Sequence, residues 1–358
     1  MKKLSLLAIA SLSLSLHAAP AQLPAPQASA AASAPVQANP SGYHLIDSLK
    51  LGGDGGWDIY GLDTAAQRLY ISRGTRVQAV DCAKDSLVGE VPNTNGVHGI
   101  AVAPFAGKGF TSNGKDSSVT VFDLKTLKQL AVIKLQASKP DAILFEPTSR
   151  RVFVFNGGSN NAVAIDAASN KVVGTISLDG KPEFPIDDGK GCIFVNLEDK
   201  SVVTEFDAKT LKVLHRWPLD PGKEPSGIAM DRMHRRIFSA CGNNLMIVLD
   251  ADSGKVVAQL PIGSGVDGAA FDPSSRLAFS SNGEGTLTVV REESAAKFSV
   301  VENVTTRKGA RTMVVDEKTH RIYMVSAKFG PPPAPTADRQ HPRGAIEPGS
   351  VTLYIFGR

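Results

Sequence analysis

The chain has 358 residues, 42% of them hydrophobic and 6% aromatic, with 39 Lys+Arg against 35 Asp+Glu. This is ample material for a large core, and the near balance of charge argues against the strongly basic surface of a dedicated nucleic-acid binder. The three cysteines, Cys82, Cys192 and Cys241, are far apart and show no CxxC or Cys/His spacing, so neither a disulfide framework nor a cysteine zinc site is expected.

Residues 1–21 read as an export signal. Lys2 and Lys3 form a positive start, residues 4–16 a short apolar run, and His17-Ala18-Ala19-Pro20-Ala21 a small-residue cleavage region. The run is too short for a membrane span, which needs about 20 apolar residues. No Cys follows it, so a lipid anchor is not indicated. Removing the segment takes away two Lys and no acid, leaving 37 Lys+Arg against 35 Asp+Glu, a net charge of +2. A periplasmic or secreted location follows as the expectation. Residues 22–42 are rich in Ala, Pro, Gln and Ser without apolar period, and read as a disordered linker.

Residues 43–51 (YHLIDSLKL) form a lone predicted strand. A unit of four short strands then recurs seven times, beginning at Trp57, Val97, Pro140, Pro182, Pro225, Val266 and Ala310, with spacings of 40, 43, 42, 43, 41 and 44 residues. The third copy is the clearest. Its strands are predicted at 142–145, 151–155, 162–165 and 171–177, separated by clusters of Gly, Pro, Asn and Asp. The seventh copy has only three strands, at 312–315, 321–326 and 350–356. The lone N-terminal strand fits the vacancy and would close a ring without an open sheet edge. The predicted fold is therefore all-β, a seven-bladed β-propeller over residues 43–358, with the last blade closed by the N-terminal strand.

Phe153-Val154-Phe155-Asn156, then Val163-Ala164-Ile165-Asp166 and Lys171-Val172-Val173-Gly174-Thr175-Ile176, resemble the YVTN-type β-propeller repeat. Phe110-Thr111-Ser112-Asn113 and Ala278-Phe279-Ser280-Ser281-Asn282 are similar. The resemblance covers nearly all of residues 43–358 and is to the YncE-like exported propellers. It implies fold more than activity. Copy six departs from the pattern, with Arg291 where other copies carry Asp.

Several columns repeat because turns need them. Asp81, Asp123, Asp166, Asp207 and Asp250 end third strands and are expected to bind nearby backbone N–H groups. Arg68, Arg151, Arg236, Arg276 and Arg321 follow Asp63, Glu146, Asp231, Asp272 and Asp316 by four or five residues, and ion pairs closing the first turn are expected.

The column that differs from blade to blade is the second residue of each copy: Asp58, His98, Asp141, Glu183, Ser226, Asp267 and Arg311. Six of these seven are ionisable, and the approach to the first strand lines the channel mouth. With Trp57, these ionisable residues (Asp58, His98, Asp141, Glu183, Asp267 and Arg311) are the candidate binding residues. Arg73, Asn113, Asn156, Asn196, Asn243 and Asn282 are expected on the same face. A polar ring can simply hold channel water; the sharper reading is a ligand site, with carboxylates for a cation or donor and Arg311 for an anion. A divalent cation is the cofactor to consider, held by a subset such as Asp58, His98 and Asp141, because ligands spread around a wide channel cannot all reach one ion. The Pro-rich insertion 329–349 in the last blade is expected over this face, bringing Asp338, Arg339, His341, Arg343 and Glu347 within reach of it.

No Gly-x-Ser-x-Gly or His-Glu-x-x-His motif occurs, and Gly52-Gly53-Asp54-Gly55-Gly56 lacks the Lys-Ser/Thr and helix of a phosphate loop. The leading expectation is a monomeric, exported, non-catalytic propeller that binds a small ligand or protein partner at the channel mouth. A metal-dependent, lactonase-like hydrolase using the same acids is the first alternative. Single-stranded DNA binding around Trp57, Arg73, Arg76 and Arg311, implied by the YncE-like resemblance, is the second.

Overall fold

A computed structural model describes residues 41–334 and 344–358. The expected export signal, nearly all of the linker and residues 335–343 of the insertion, with Asp338, Arg339, His341 and Arg343, lie outside the described residues.

Seven antiparallel sheets of four strands each follow one another along the chain. Blade one spans the strands Tyr60–Asp63, Arg68–Ser72, Val77–Asp81 and Ser86–Val91. Blade three spans Pro140–Glu146, Arg151–Asn156, Asn161–Asp166 and Lys171–Ser177, close to the bounds that its alternating pattern predicts. In blade seven, His44–Lys50 pairs antiparallel with Thr352–Gly357, beside Arg321–Ser326 and Met313–Asp316. The N-terminal strand thus supplies the fourth strand that the last repeat lacks. The arrangement is the all-β seven-bladed propeller that the sequence predicts. No helix among the described residues is long and apolar enough to cross a membrane.

Burial explains the period. The third residue of every second strand is aromatic and lies under the blade face: Tyr70, Phe110, Phe153, Phe194, Phe238, Phe279 and Tyr323, each at most 1% exposed. Each such side chain contributes about 1.5–3 kcal/mol on burial. One blade offers this row only to its neighbours, so the core is a set of inter-blade layers. Fourth strands face outward and alternate between exposed and half-buried, as in Gln129–Lys134. The three cysteines are free thiols.

The Asp column behaves as turn chemistry requires. Asp166 Oδ1 accepts from Ser169 N at 2.7 Å and Ser169 Oγ at 2.6 Å; Asp207 and Asp250 hold Thr210 and Ser253 in the same way. The expected acid–base pairs in the first turns do not form. The acids accept from their own turn instead, as Glu146 does from Thr148 N and Ser149 N. The cations reach into the following blade: Arg151 donates to the carbonyls of Ala208 and Lys209, Arg236 Nε to Ala295 O, and Arg321 to Cys82 O and Asp85. A long side chain at the start of a second strand reaches the neighbouring turn more readily than it folds back on its own.

Candidate functional site at the channel mouth

Five of the seven first strands carry an irregularity at their ring residue. In blade two Val97 pairs with Asn113 and Ile100 with Thr111, so His98 and Gly99 together face only Ser112. Register breaks of the same kind lie at Asp141, Glu183, Ser226 and Asp267. Such a bulge re-aims a side chain out of the sheet plane. Asp58 and Arg311 lie two residues before the start of their shorter first strands, at Tyr60 and Met313.

Polar side chains of the second strands hold these irregular segments. Ser72 Oγ accepts from Asp58 N at 2.9 Å, and Ser112 Oγ accepts from Gly99 N at 2.9 Å while donating to the carbonyl of Asp141 in the next blade. Asn196 Nδ2 donates to Ser226 O at 2.9 Å and Gly227 O at 3.0 Å, and Ser281 Oγ donates to Arg311 O at 2.5 Å. Ring geometry is therefore transmitted from blade to blade. Close approach at the axis demands small residues: a Cβ on Gly227 would lie 2.5 Å from Ala269 N and 2.6 Å from Gly268 C.

The ring residues form three groups. Asp58, His98 and Asp141, from consecutive blades, converge: His98 Nδ1 lies 2.7 Å from Asp58 Oδ2 and 3.5 Å from Asp141 Oδ1. Lys181 pairs with Glu183 at 2.9 Å and also with Glu198. Arg311 Nη1 meets Asp267 Oδ2 at 2.9 Å, and Ser226 Oγ donates to Asp267 Oδ1 at 2.8 Å. Sequence reasoning missed Lys181 because it stands one residue before the repeat boundary.

The environment sets the charges. The hydrogen bond that His98 Nδ1 donates to Asp58 raises the His98 pKa above the usual histidine value, against burial and with help from Asp141. Burial pushes Asp141 up to about 6, with His98 opposing and Asp58 adding. Asp141 is surrounded by protein, yet 36% of its side chain still touches water, which screens the effect. Burial also pushes Glu183 up to about 7, against the pull of Lys181. Burial works against the Lys181 ammonium, but Glu198 and Glu183 together hold its pKa above the usual lysine value.

Asp58, His98 and Asp141 stand at the wall of an open cleft of about 760 Å³. Trp57, Arg76, Lys115 and Lys139 also line it. Trp57 packs 6.1 Å from Phe329, at the base of the Pro-rich insertion. There Phe329 and Ile346 form a β-bridge, and Gly330 N donates to Ala345 O. The described ends of the insertion therefore rise beside the mouth; Glu347 belongs to this ladder through its N–H to Lys328 O.

Most of the residues expected to share this face are not available there. Arg73 is fully buried, with Nη1 donating to Gln78 Oε1 at 2.5 Å and Nη2 turned to the carbonyls of Gly52, Gly53, Asp54 and Gly55. Asn113, Asn156 and Asn282 are buried and bind their own blades. Asn196 stands one register position earlier than these and serves the ring backbone. Only Asn243 is exposed, where it accepts from Lys223 N. The basic patch around Trp57 is likewise engaged: Arg73 as above, Arg76 with Glu90 at 3.1 Å and Arg311 with Asp267.

No family model and no curated protein matches the sequence. Among solved structures, a chain of "Crystal Structure of Mitotic Checkpoint Complex" superposes with a TM-score of 0.72, covering 98% of this chain and 99% of that one at 11% identity. A likeness at that identity is one of fold alone.

Proposed function

We propose that this protein is an exported, non-catalytic propeller of the YVTN, YncE-like kind that binds a small ligand carrying both a cationic and an anionic group at the channel mouth. The observation that carries the reading is the convergence of Asp58, His98 and Asp141 from three blades at the wall of the cleft. Two carboxylates facing one imidazole leave net negative charge for an ammonium or guanidinium. Lys115 and Lys139, exposed on the same cleft and in no ion pair among the described residues, supply the anion's partners. Trp57 offers an apolar wall. A free amino acid or short peptide has this combination of groups. Phe329, at the described base of the insertion, packs against Trp57 and extends the apolar wall.

A divalent cation at the same three residues is the second reading, favoured by donor atoms that all lie within 4.8 Å of one another. The fit is partial. The His98 nitrogen that faces the acids already bonds Asp58, all three side chains keep contact with water, and none is left as a buried orphan. The trio is thus satisfied without an ion. Thermal-shift titration separates the readings. A panel of L-amino acids and dipeptides stabilises the wild type but not Asp58→Asn/Asp141→Asn in the ligand reading. Stabilisation by Ca²⁺ or Zn²⁺ alone, lost in that variant, would support the metal reading. Salt-sensitive binding of oligo(dT) would support nucleic acid.

A further inference from the structure

On blades five and six, away from the seven ring positions, the residue that follows the turn-Asp column (Arg291 in blade six) shows another departure. Its backbone N–H donates to a carbonyl of the first turn in six blades: Cys82 to Gln67, Leu124 to Gly107, Ala167 to Arg150, Ala208 to Gly191, Ala251 to Arg235 and Glu292 to Arg276. The equivalence is structural, not merely a matter of alignment. Five of the six side chains are apolar and pack into the inter-blade layers. The sixth, Glu292, is 2% exposed, and neither of its carboxylate oxygens receives an N–H or O–H donor in hydrogen-bonding geometry; its polar neighbours are His234 Nδ1, 3.3 Å from Oε1, and the carboxyl of Asp231. An orphaned buried carboxylate is costly, so something must compensate it.

Glu292 faces the first turn of blade five. Asp231, 3% exposed, ends that blade's first strand; its Oδ1 accepts from Met233 N and its Oδ2 lies 2.5 Å from His234 Nδ1. The same His234 nitrogen lies 3.3 Å from Glu292 Oε1 but is directed at Asp231, and one ring nitrogen cannot serve both acids. Blades six and seven show what the turn ordinarily contains. There the corresponding residues are Ser275 and Thr319, whose hydroxyls bond Asp272 and Asp316. Blade five has exchanged a hydroxyl for an imidazole at the place where blade six has exchanged an apolar residue for a carboxylate. Arg276, whose charge also acts on Glu292, makes no ion pair with either acid among the described residues, and its own Nε is buried without a partner.

We propose that Asp231, His234 and Glu292 form a structural site for a divalent transition cation of the Zn²⁺ or Mn²⁺ class, which ties blade five to blade six. One nitrogen and two carboxylate oxygens, all within 4.8 Å of one another, are a donor set for borderline cations. Ligand atoms of a tetrahedral site lie about 3.3 Å apart, given metal–ligand distances of about 2.0–2.2 Å. The His234–Glu292 separation already matches this, and the His234–Asp231 contact opens by about 0.8 Å when an ion enters. The His234 side chain is 34% exposed, which leaves room for a water ligand and a way in. Without an ion, burial and the adjacent Asp231 push the Glu292 carboxyl above the usual carboxylate range, so a proton shared between the two acids is the competing occupant.

The test uses the purified full chain, stripped with chelator and titrated with Zn²⁺ or Mn²⁺ alone by calorimetry and thermal unfolding. The expected result is one stoichiometric ion and a Tm rise of about 2–8 °C at a hundredfold excess over Kd. Both disappear in Glu292→Ala, which restores the residue of three equivalent blades, and in His234→Ser, which restores that of blade six. His98→Gln leaves both intact. Co²⁺ loading gives a visible absorption band that follows the same pattern. Three outcomes overturn the proposal: no stoichiometric ion in the wild type, binding unchanged in Glu292→Ala and His234→Ser, or binding lost in His98→Gln instead. A wild type that binds no ion and gains stability at pH 8 on Glu292→Ala identifies a proton-sharing acid pair in place of a metal site.

Discussion

Arg73→Met removes the largest fully buried side chain among the described residues while keeping most of its apolar length. The guanidinium spans two parts of the chain. Nη1 bonds Gln78 at 2.5 Å, and Nη2 faces four carbonyls, of which Gly52 O at 3.0 Å is the nearest and the other three lie at 3.3–3.4 Å. Nη2 has two hydrogens, so two strong bonds are its limit, and only the Gly52 contact falls within the usual distance range. Counting that bond and the one to Gln78, each about 1.5–3 kcal/mol because the donor is charged, gives about 3–6 kcal/mol gross. Burial of the guanidinium, which lowers its pKa to about 10, offsets part of this. A net loss of about 2–4 kcal/mol remains, or roughly 3–6 °C in Tm for a domain of this size. Differential scanning calorimetry measures it. Arg73→Lys recovers less than half, because an ammonium cannot reach Gln78 and the 52–55 loop together. A Tm for Arg73→Met within 1 °C of wild type would refute the view that this residue anchors the lead-in to blade one.

Gly227→Ala places a methyl against the backbone of blade six and costs about 1–3 kcal/mol, read from urea unfolding, with a small change in m-value. Unchanged stability would mean that the blades are looser at the axis than described here. Stability falls as pH rises between about 4 and 8. The folded protein holds protons on Asp141 and Glu183 up to about 6 and 7 where the unfolded chain has released them, and the stabilising charge on His98 is lost as pH rises through its raised folded pKa. Asp141→Asn/Glu183→Gln flattens the Tm profile over this window; a wild-type Tm that climbs from pH 5 to 8 contradicts the assignment.

The fold was legible because its determinants are local and repeated. Alternating strands, a period near 42 residues and a last repeat short of one strand leave few architectures other than a closed ring, and His44–Lys50 against Thr352–Gly357 is the closure they require. The ring column was legible for the opposite reason: a position that varies among seven otherwise similar copies is not dictated by the repeat. Pairings between blades were not legible. Nothing in the order of residues says that Arg321 reaches Asp85, or that Arg311 is taken by Asp267, because those contacts join positions whose distance is set by ring curvature. Arg73 misled for a similar reason. It occupies the register of Asn113 and Asn156, which serve their own blades, but in blade one the 52–55 loop passes over that position and needs a longer donor. Glu292 carried a signal that comparison of the copies could have found, since the same column elsewhere reads Cys, Leu, Ala, Ala and Ala. The neighbouring Arg291, which replaces the turn Asp, is the more conspicuous departure in the sequence, but it is only half-buried.

The central claim is that the channel mouth, and not another face, binds the ligand. Isothermal titration of the wild type and of Asp58→Asn/Asp141→Asn with the L-amino acids and dipeptides that stabilise the wild type tests it most directly. The account predicts one site per chain, at least a tenfold weaker Kd in the variant, and a similar weakening in Lys115→Ala/Lys139→Ala. Equal affinity in wild type and both variants would contradict it.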